Sequence, residues 1–187
     1  MIVILGESGS GKSTLVDALV AHDNKYKKIV TYTTRPKREG ETNGVDYHFI
    51  SNETFDELAK RNFFIEFNMY RNWYYGTAIT DCSNNNFTVA VLTPAGMREL
   101  KRKGIEVHSI YLYVDRRSRL IKILNRGDDI EEAYRRSLSD VGQFDGLIEE
   151  SDFIIDNTEY KMPIDGALRC LIEILNRIKE EDNNNGD

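Results

Sequence analysis

The sequence predicts an α/β fold in which helices cover both faces of a parallel central sheet. Short apolar runs of strand length alternate with longer segments of helical spacing. A glycine-rich loop joins the first apolar run directly to the first helical segment. The run at 87–92 is apolar almost throughout, which is typical of a strand that is buried on both faces. Sheets of this kind bind ligands beyond the carboxyl ends of their strands.

The glycine-rich loop at 6–13, GESGSGKS, matches the phosphate-loop pattern G-x-x-x-x-G-K-[ST]. Gly6, Gly9 and Gly11 let the backbone turn so that successive N–H groups point into one concavity, where an anion can bind. Lys12 can reach the β- and γ-phosphates of a nucleotide, and the Ser13 hydroxyl can bind Mg²⁺. An ordinary glycine-rich turn is the other interpretation, and it would not need the lysine, the hydroxyl and both flanking elements.

The elements after this loop follow from runs of apolar residues and the turn signals between them. Strands are predicted at 28–32, 47–50, 63–70, 87–92, 107–114 and 152–157. Later helices are predicted from Ser51 or Asn52, from Pro94, at 116–126 and at 163–179. The segment at 130–150 is helical in pattern but highly charged, which predicts a mobile lid.

Composition limits the classes of protein to consider. The chain has 187 residues, is 40% hydrophobic and 30% charged, and carries a net charge of −6. Proteins that bind nucleic acid are usually basic, so we expect no nucleic-acid partner. The two cysteines form neither a disulfide framework nor a metal-binding pattern, and no apolar run reaches membrane-spanning length. The first strand leaves no room for a signal peptide, so we expect a cytoplasmic protein with no membrane partner.

The polar stretch at 33–46 contains a candidate site for a second phosphate. Arg35 and Arg38 are three residues apart, and two guanidinium groups can bind a phosphate monoester through paired hydrogen bonds. Tyr47 and Tyr75 add phenolic donors to the same region. A solvated loop is the alternative for the arginines. Glu66 interrupts an aromatic strand, where the alternative is an ordinary surface residue.

These residues carry a resemblance to a known family. The run TTRPKREGETNGVDYHF at 33–49 resembles the GMP-binding signature of guanylate kinases, as do FIEF at 64–67 and YYGT at 74–77. The pieces NRG at 125–127 and DFIIDN at 152–157 follow in that family's order and spacing. The resemblance covers essentially residues 1–178 and implies the P-loop nucleotide kinase fold.

The resemblance also implies how the chain is divided. It indicates a single guanylate-kinase-like domain over 1–179, followed by a disordered tail at 180–187. The core of that domain would comprise 1–31, 88–126 and 152–179. A small NMP-binding subdomain would span about 32–87, and a helical lid about 127–151.

The activity implied is transfer of the γ-phosphoryl group of ATP to GMP or dGMP with Mg²⁺, by a monomer or homodimer in purine nucleotide metabolism. The implied ATP-binding residues are Gly6, Ser8, Gly9, Ser10, Gly11, Lys12, Ser13, Thr14 and Asn157, with Ser13 also binding the metal. The implied acceptor-binding residues are Thr31, Arg35, Arg38, Tyr47, Glu66, Tyr75 and Thr77. The implied catalytic residues are Lys12, Arg38, Arg126 and Arg136, with Arg135 as the alternative to Arg136.

The sequence departs from the family pattern at Val91 and Thr93, where guanylate kinases usually carry Asp-x-Asp. We therefore expect a slow GMP kinase whose activity an aspartate at position 93 would raise; Asp115 is a possible substitute carboxylate. A kinase with a different phosphate-bearing acceptor, and a catalytically weak binding module, are the other two hypotheses. The intact Lys12 and Ser13 argue against the binding module.

Overall fold

The computed structural model describes residues 1–37, 39–70, 72–82, 85, 87–125 and 130–184, of which 70, 132, 136 and 182–184 are described in backbone only. The strands are β1 (Ile2–Leu5), β2 (Lys27–Lys28), β3 (Tyr32–Thr33), β4 (His48–Phe49), β5 (Phe64–Tyr70), β6 (Trp73–Ala78), β7 (Thr88–Val91), β8 (His108–Tyr113) and β9 (Phe153–Asp156). The α-helices are α1 (Lys12–His22), α2 (Asn52–Lys60), α3 (Pro94–Arg102), α4 (Arg116–Asn125), α5 (Ile130–Ser139), α6 (Leu147–Glu150) and α7 (Ile164–Asn184).

Five strands form the parallel central sheet, in the order β2-β7-β1-β8-β9. β1 lies at its centre, and all four of its residues are fully buried because both faces are covered. α1 and α7 pack on one face through residues such as Leu15, Leu19 and Leu171. α3 covers the other face through Met97 and Leu100. The predicted fold class is confirmed.

A second sheet, in the order β4-β3-β6-β5, lies outside the central sheet. Its core is aromatic: the Phe55 ring of α2 stacks on Phe64 with 4.4 Å between centroids, and on Tyr74 with 5.0 Å. Gly76 permits this packing, because a Cβ at that position would lie 2.8 Å from the Phe64 ring. Ser51 caps α2 by accepting a 3.1 Å hydrogen bond from the Thr54 N–H.

The predicted strand at 28–32 is divided between the two sheets. The Ile29 N–H donates to Val89 O of β7, whereas Thr31 O accepts from the His48 N–H of the second sheet. The chain therefore crosses between sheets within a segment whose apolar pattern is continuous. Pairing partners, rather than local propensity, decide where each strand ends.

The last helix is longer than predicted. Disorder was expected from residue 180 onwards, but α7 continues through Asn184. Glu180 and Glu181 have high helix propensity and extend a helix that is already anchored to the core by Leu175 and Ile178.

Candidate active site

The phosphate loop connects the buried β1 to the start of α1. Gly9 and Gly11 have φ angles of 85° and 99°, a left-handed conformation that favours glycine. Gly11 is the N-cap residue of α1 and, within the described part of the chain, no side chain caps that end. The loop N–H groups at this helix N-terminus can therefore bind an anion.

Lys12 lies in the concavity of the loop. Its Nζ donates a 2.9 Å hydrogen bond to Glu7 O and lies 3.5 Å from Ser10 Oγ. Burial lowers the pKa of Lys12 to about 8, against the opposing effect of the Asp140 and Glu7 carboxylates. Lys12 is still mainly protonated at neutral pH, so its charge is available to a phosphate.

A cavity of about 430 Å³ extends from the phosphate loop to the second sheet. It brings together predicted residues that are widely separated in the sequence: Gly6, Ser8, Lys12, Ser13, Thr31, Tyr47, Glu66, Tyr75 and Thr77. Val91 and Thr93 line the same cavity. We call it the acceptor cavity.

Glu66 lies on β5 and lines the acceptor cavity. It pairs with Thr77 across β5 and β6, and Thr77 is almost fully buried. Thr93 donates to the Glu66 carboxylate from both its N–H, at 3.3 and 3.4 Å from the two oxygens, and its hydroxyl. Burial raises the pKa of Glu66 to about 7, although these hydrogen bonds act in the opposite direction.

Arg35 lines an adjoining cavity of about 360 Å³ that also reaches the phosphate loop. Its guanidinium is buried, lies 2.6 Å from Glu41 Oε1 and donates to Pro36 O at 2.8 Å. The guanidinium carbon is 5.5 Å from the centre of the Tyr47 ring. Tyr47 and Tyr75 line both cavities, so their phenolic groups are shared between the acceptor cavity and the cavity that Arg35 lines.

The side chains of three arginines that are predicted to be catalytic lie outside the described residues. Arg38 and Arg126 lie outside the described residues, and Arg136 lies on α5 with its side chain outside them. Their catalytic roles stay predictions.

Asn157, predicted to lie near the donor nucleotide, borders a smaller cavity of about 80 Å³ behind the loop, together with Ser10, Gly11 and Thr14. Its side chain accepts from the Met162 N–H at 2.8 Å and donates to Met162 O at 3.1 Å. This pair of bonds fixes the turn that forms one wall of the cavity.

Residues that the sequence did not indicate also contact the loop. Asp140, which follows α5, accepts a 2.8 Å hydrogen bond from the Ser8 N–H. Arg119 lies 3.5 Å from Asp140 Oδ2 and 3.2 Å from Glu7 Oε1, so it joins the segment that follows α5 to the loop. Burial raises the pKa of Asp140, with the Ser8 N–H and the charges of Lys12 and Arg119 opposing it.

Beside the 80 Å³ cavity, Tyr160 donates its hydroxyl to Gly9 O, and Lys122 Nζ lies 4.0 Å from the centre of the Tyr160 ring. Lys122 borders both the 80 and the 360 Å³ cavities. A signal for Lys122 was present, because it is a cation within the otherwise apolar LIKIL run of α4.

Asp115 does not replace the missing carboxylates. It caps α4 by accepting from the Ser118 N–H at 2.9 Å, and it accepts from the Glu159 N–H at 2.8 Å. These backbone hydrogen bonds lower the pKa of Asp115 to about 2. It therefore has a structural role at the start of α4.

The described residues contain no group of three or more His, Cys, Asp or Glu side chains able to hold a metal. A divalent cation at this site would be bound by the Ser13 hydroxyl and by oxygen atoms of a bound substrate. Such a site suits Mg²⁺, which commonly binds through substrate phosphates and water. No helix in the described part of the chain is long and apolar enough to cross a membrane.

Comparisons with known proteins identify a family for the chain. The guanylate kinase family model matches residues 1–177. A guanylate kinase from Blochmanniella floridana is 32% identical over 169 residues, covering 87% of this chain and 80% of that protein. Another from Histophilus somni is 31% identical over 183 residues, covering 94% and 86%.

Among solved structures, the guanylate kinase from Anaplasma phagocytophilum superposes with a TM-score of 0.64, at 21% identity, over 95% of this chain and 84% of that one. At that identity the likeness supports the fold alone. The family match over nearly the whole chain carries the assignment: this chain belongs to the guanylate kinase family.

Proposed function

We propose that this protein transfers the γ-phosphoryl group of ATP to GMP or dGMP, giving ADP and GDP. The observation that carries the proposal is the position of Glu66, a partly buried carboxylate that lines the same cavity as Lys12 and the phosphate loop. A nucleoside monophosphate placed along this cavity would present its base to Glu66 and its phosphate to the loop.

Glu66 is suited to guanine. Guanine presents N1–H and an exocyclic amino group side by side, and one carboxylate accepts from both. Adenine has an acceptor at N1, which the carboxylate would repel. Such a mismatch leaves buried polar groups unpaired and so discriminates strongly. Thr77 pairs with Glu66 across β5 and β6, and its hydroxyl would lie beside the same base edge.

The acceptor phosphate would bind between the two cavities. Arg35 supplies a guanidinium fixed by Glu41, and Tyr47 and Tyr75 supply phenolic donors. Arg38 would add a second guanidinium. Thr31, which lines the acceptor cavity, would contact the same nucleotide.

The donor would bind on the phosphate loop, with its phosphates against the N–H groups of residues 8–14 and its adenine near Asn157. Lys12 would neutralise the transferring group and hold it in line with the acceptor, without a covalent intermediate. Mg²⁺, bound through Ser13 and the ATP phosphates, supplies further charge neutralisation. Arg126, at the end of the core segment, and Arg136 or Arg135, in the lid at about 127–151, would approach the transferring phosphoryl group when the lid closes, and closure would exclude water. We further propose a cytoplasmic monomer or homodimer.

A coupled assay of ADP release across GMP, dGMP, AMP, CMP, UMP and TMP tests the proposal. The expected result is turnover with GMP or dGMP well above the others. Equal or better turnover of AMP or a pyrimidine nucleotide contradicts guanine recognition. ADP release with none of them, but with another phosphate-bearing acceptor, favours the alternative kinase.

We predict that Glu66→Gln lowers kcat/KM for GMP by about 10- to 100-fold, because an amide offers only one acceptor where guanine needs two. The ratio of kcat/KM for GMP to kcat/KM for AMP should fall in the same variant. Glu57→Gln on the exposed face of α2 removes the same charge from the same region and is the matched control. If Glu66→Gln keeps the GMP preference, Glu66 does not recognise the base.

The pH dependence follows from the pKa of Glu66 near 7. Only the ionised carboxylate accepts both guanine donors, so the KM for GMP should rise as pH falls below 7, by up to about tenfold per pH unit. The neighbouring Cys82 has its pKa raised to about 11 by burial, then by Asp81 and Glu66, so it stays neutral in this range.

The KM for ATP provides the comparison, since it should lack this Glu66-dependent rise. The Glu66→Gln variant should keep only the dependence caused by ionisation of the GMP phosphate, whose second pKa is about 6. Identical profiles for the variant and the unmodified protein would show that Glu66 does not titrate in the binding step.

A further inference from the structure

The N-terminus of α3 lies against the Glu66 carboxylate. Thr93 is the N-cap residue, and its Oγ1 accepts a 3.1 Å hydrogen bond from the Gly96 N–H. A hydroxyl that accepts from the helix directs its own proton elsewhere, and here that proton is donated to Glu66 Oε2. Thr93 therefore links the helix end to the carboxylate.

Electrostatic attraction also stabilises the Glu66 carboxylate at this position. The N-terminus of a helix carries a partial positive charge and stabilises an adjacent anion. The Thr93 N–H contributes a further donor to both Glu66 oxygens. These interactions favour the ionised form of Glu66 in a place where burial alone would disfavour it.

Gly96 leaves the space that the carboxylate fills. A Cβ added at position 96 would lie 2.5 Å from Cδ and 3.0 Å from Cγ of Glu66. The distance to Cδ is too short for a real contact and the distance to Cγ is a tight one, so a larger residue at position 96 would displace the Glu66 carboxylate. The backbone of Gly96 needs no special conformation; its missing side chain is the feature that matters.

We propose that Thr93 and Gly96 are positioning residues for acceptor specificity, which dock Glu66 on the N-terminus of α3 and fix the edge of the carboxylate presented to the base. This inference rests on the proposed function. Thr93 thereby takes a role that an aspartate could not, because an ionised aspartate has no proton to donate and would repel Glu66. The proposal therefore leads to a different expectation from the sequence-based one, which stays untested: in this chain, Thr93→Asp should weaken GMP binding at neutral pH.

The test compares Thr93→Val, which removes the hydroxyl at nearly constant volume, with Thr93→Ser, which keeps it. Substrates are GMP and inosine monophosphate, whose base lacks the exocyclic amino group. Thr93→Val should raise the KM for GMP by about 10- to 100-fold, with kcat and the KM for ATP changed less than about threefold. Thr93→Val should also reduce the ratio of kcat/KM for GMP to kcat/KM for inosine monophosphate. Thr93→Ser should have the KM for GMP and the ratio of the unmodified protein.

Gly96→Ala is the second variant, because it keeps the Thr93 cap and displaces only Glu66. The same rise in KM for GMP is expected. Carbon-13 NMR titration of Glu66, assigned with Glu66→Gln, gives a readout independent of catalysis: loss of the Thr93 hydroxyl should raise the carboxyl pKa.

An unchanged KM for GMP in both Thr93→Val and Gly96→Ala overturns the proposal, as does an equal loss for GMP and inosine monophosphate. An unchanged Glu66 pKa in Thr93→Val also overturns it, whatever the substrate. Failure of the proposed function is distinguishable, since it appears in the unmodified protein as absence of GMP turnover.

Discussion

Lys12→Ala is expected to lower kcat by about 10³- to 10⁵-fold while leaving the fold intact. The Lys12 ammonium is the cation in the concavity of the loop, and a positioned charge on a transferring phosphoryl group contributes on that order. The fold should survive because the side chain contacts Glu7 O and Ser10 rather than the hydrophobic core.

Single-turnover kinetics measures the loss, and circular dichroism with thermal unfolding checks the fold. Lys12→Met, which keeps the buried aliphatic chain, should behave like Lys12→Ala. Lys60→Ala at the exposed end of α2 is the control. Near-normal turnover of the Lys12 variants would refute the phosphate-loop assignment and the mechanism built on it.

Arg35→Ala should weaken GMP binding by about 30- to 1,000-fold, which corresponds to about 2–4 kcal/mol for a buried guanidinium that contacts phosphate. Binding of a non-hydrolysable ATP analogue should change by no more than a few-fold. Calorimetric titration with each ligand separates the two sites.

The partner of Arg35 complicates this variant, because Arg35→Ala leaves the Glu41 carboxylate without the guanidinium that lies 2.6 Å away. The double variant Arg35→Ala/Glu41→Gln removes that uncompensated charge. If GMP binding recovers in the double variant, Arg35 serves Glu41 rather than the phosphate. Equal losses for GMP and the ATP analogue would show that Arg35 does not define the acceptor site.

The central sheet and the phosphate loop could be predicted because their signals are local. A buried strand, a glycine loop and a helix follow one another in 22 residues, from Met1 to His22. The second sheet was harder, since the predicted strand at 28–32 divides between two sets of partners. No local pattern contains that information.

The candidate site also has a part that could be predicted from the sequence and a part that could not. Arg35, Tyr47, Glu66 and Tyr75 lie in motifs that the family resemblance identified, and the structure brings them to the adjoining cavities. The docking of Glu66 on Thr93 joins residues 27 apart in the sequence, and the contact of Asp140 with Ser8 joins residues 132 apart. Neither contact has a signature in the sequence, because each depends on how separate elements pack.

The contact between Asp140 and the Ser8 N–H couples the position of the segment that follows α5 to the affinity of the phosphate loop for phosphate. A phosphate that used the same N–H would exclude the carboxylate, and a phosphate nearby would repel it. The free energy of the contact between Asp140 and the loop therefore makes the binding free energy of any such phosphate less favourable by the same amount. By thermodynamic reciprocity, a bound phosphate would weaken the contact of Asp140 with the loop by the same factor by which that contact weakens phosphate binding.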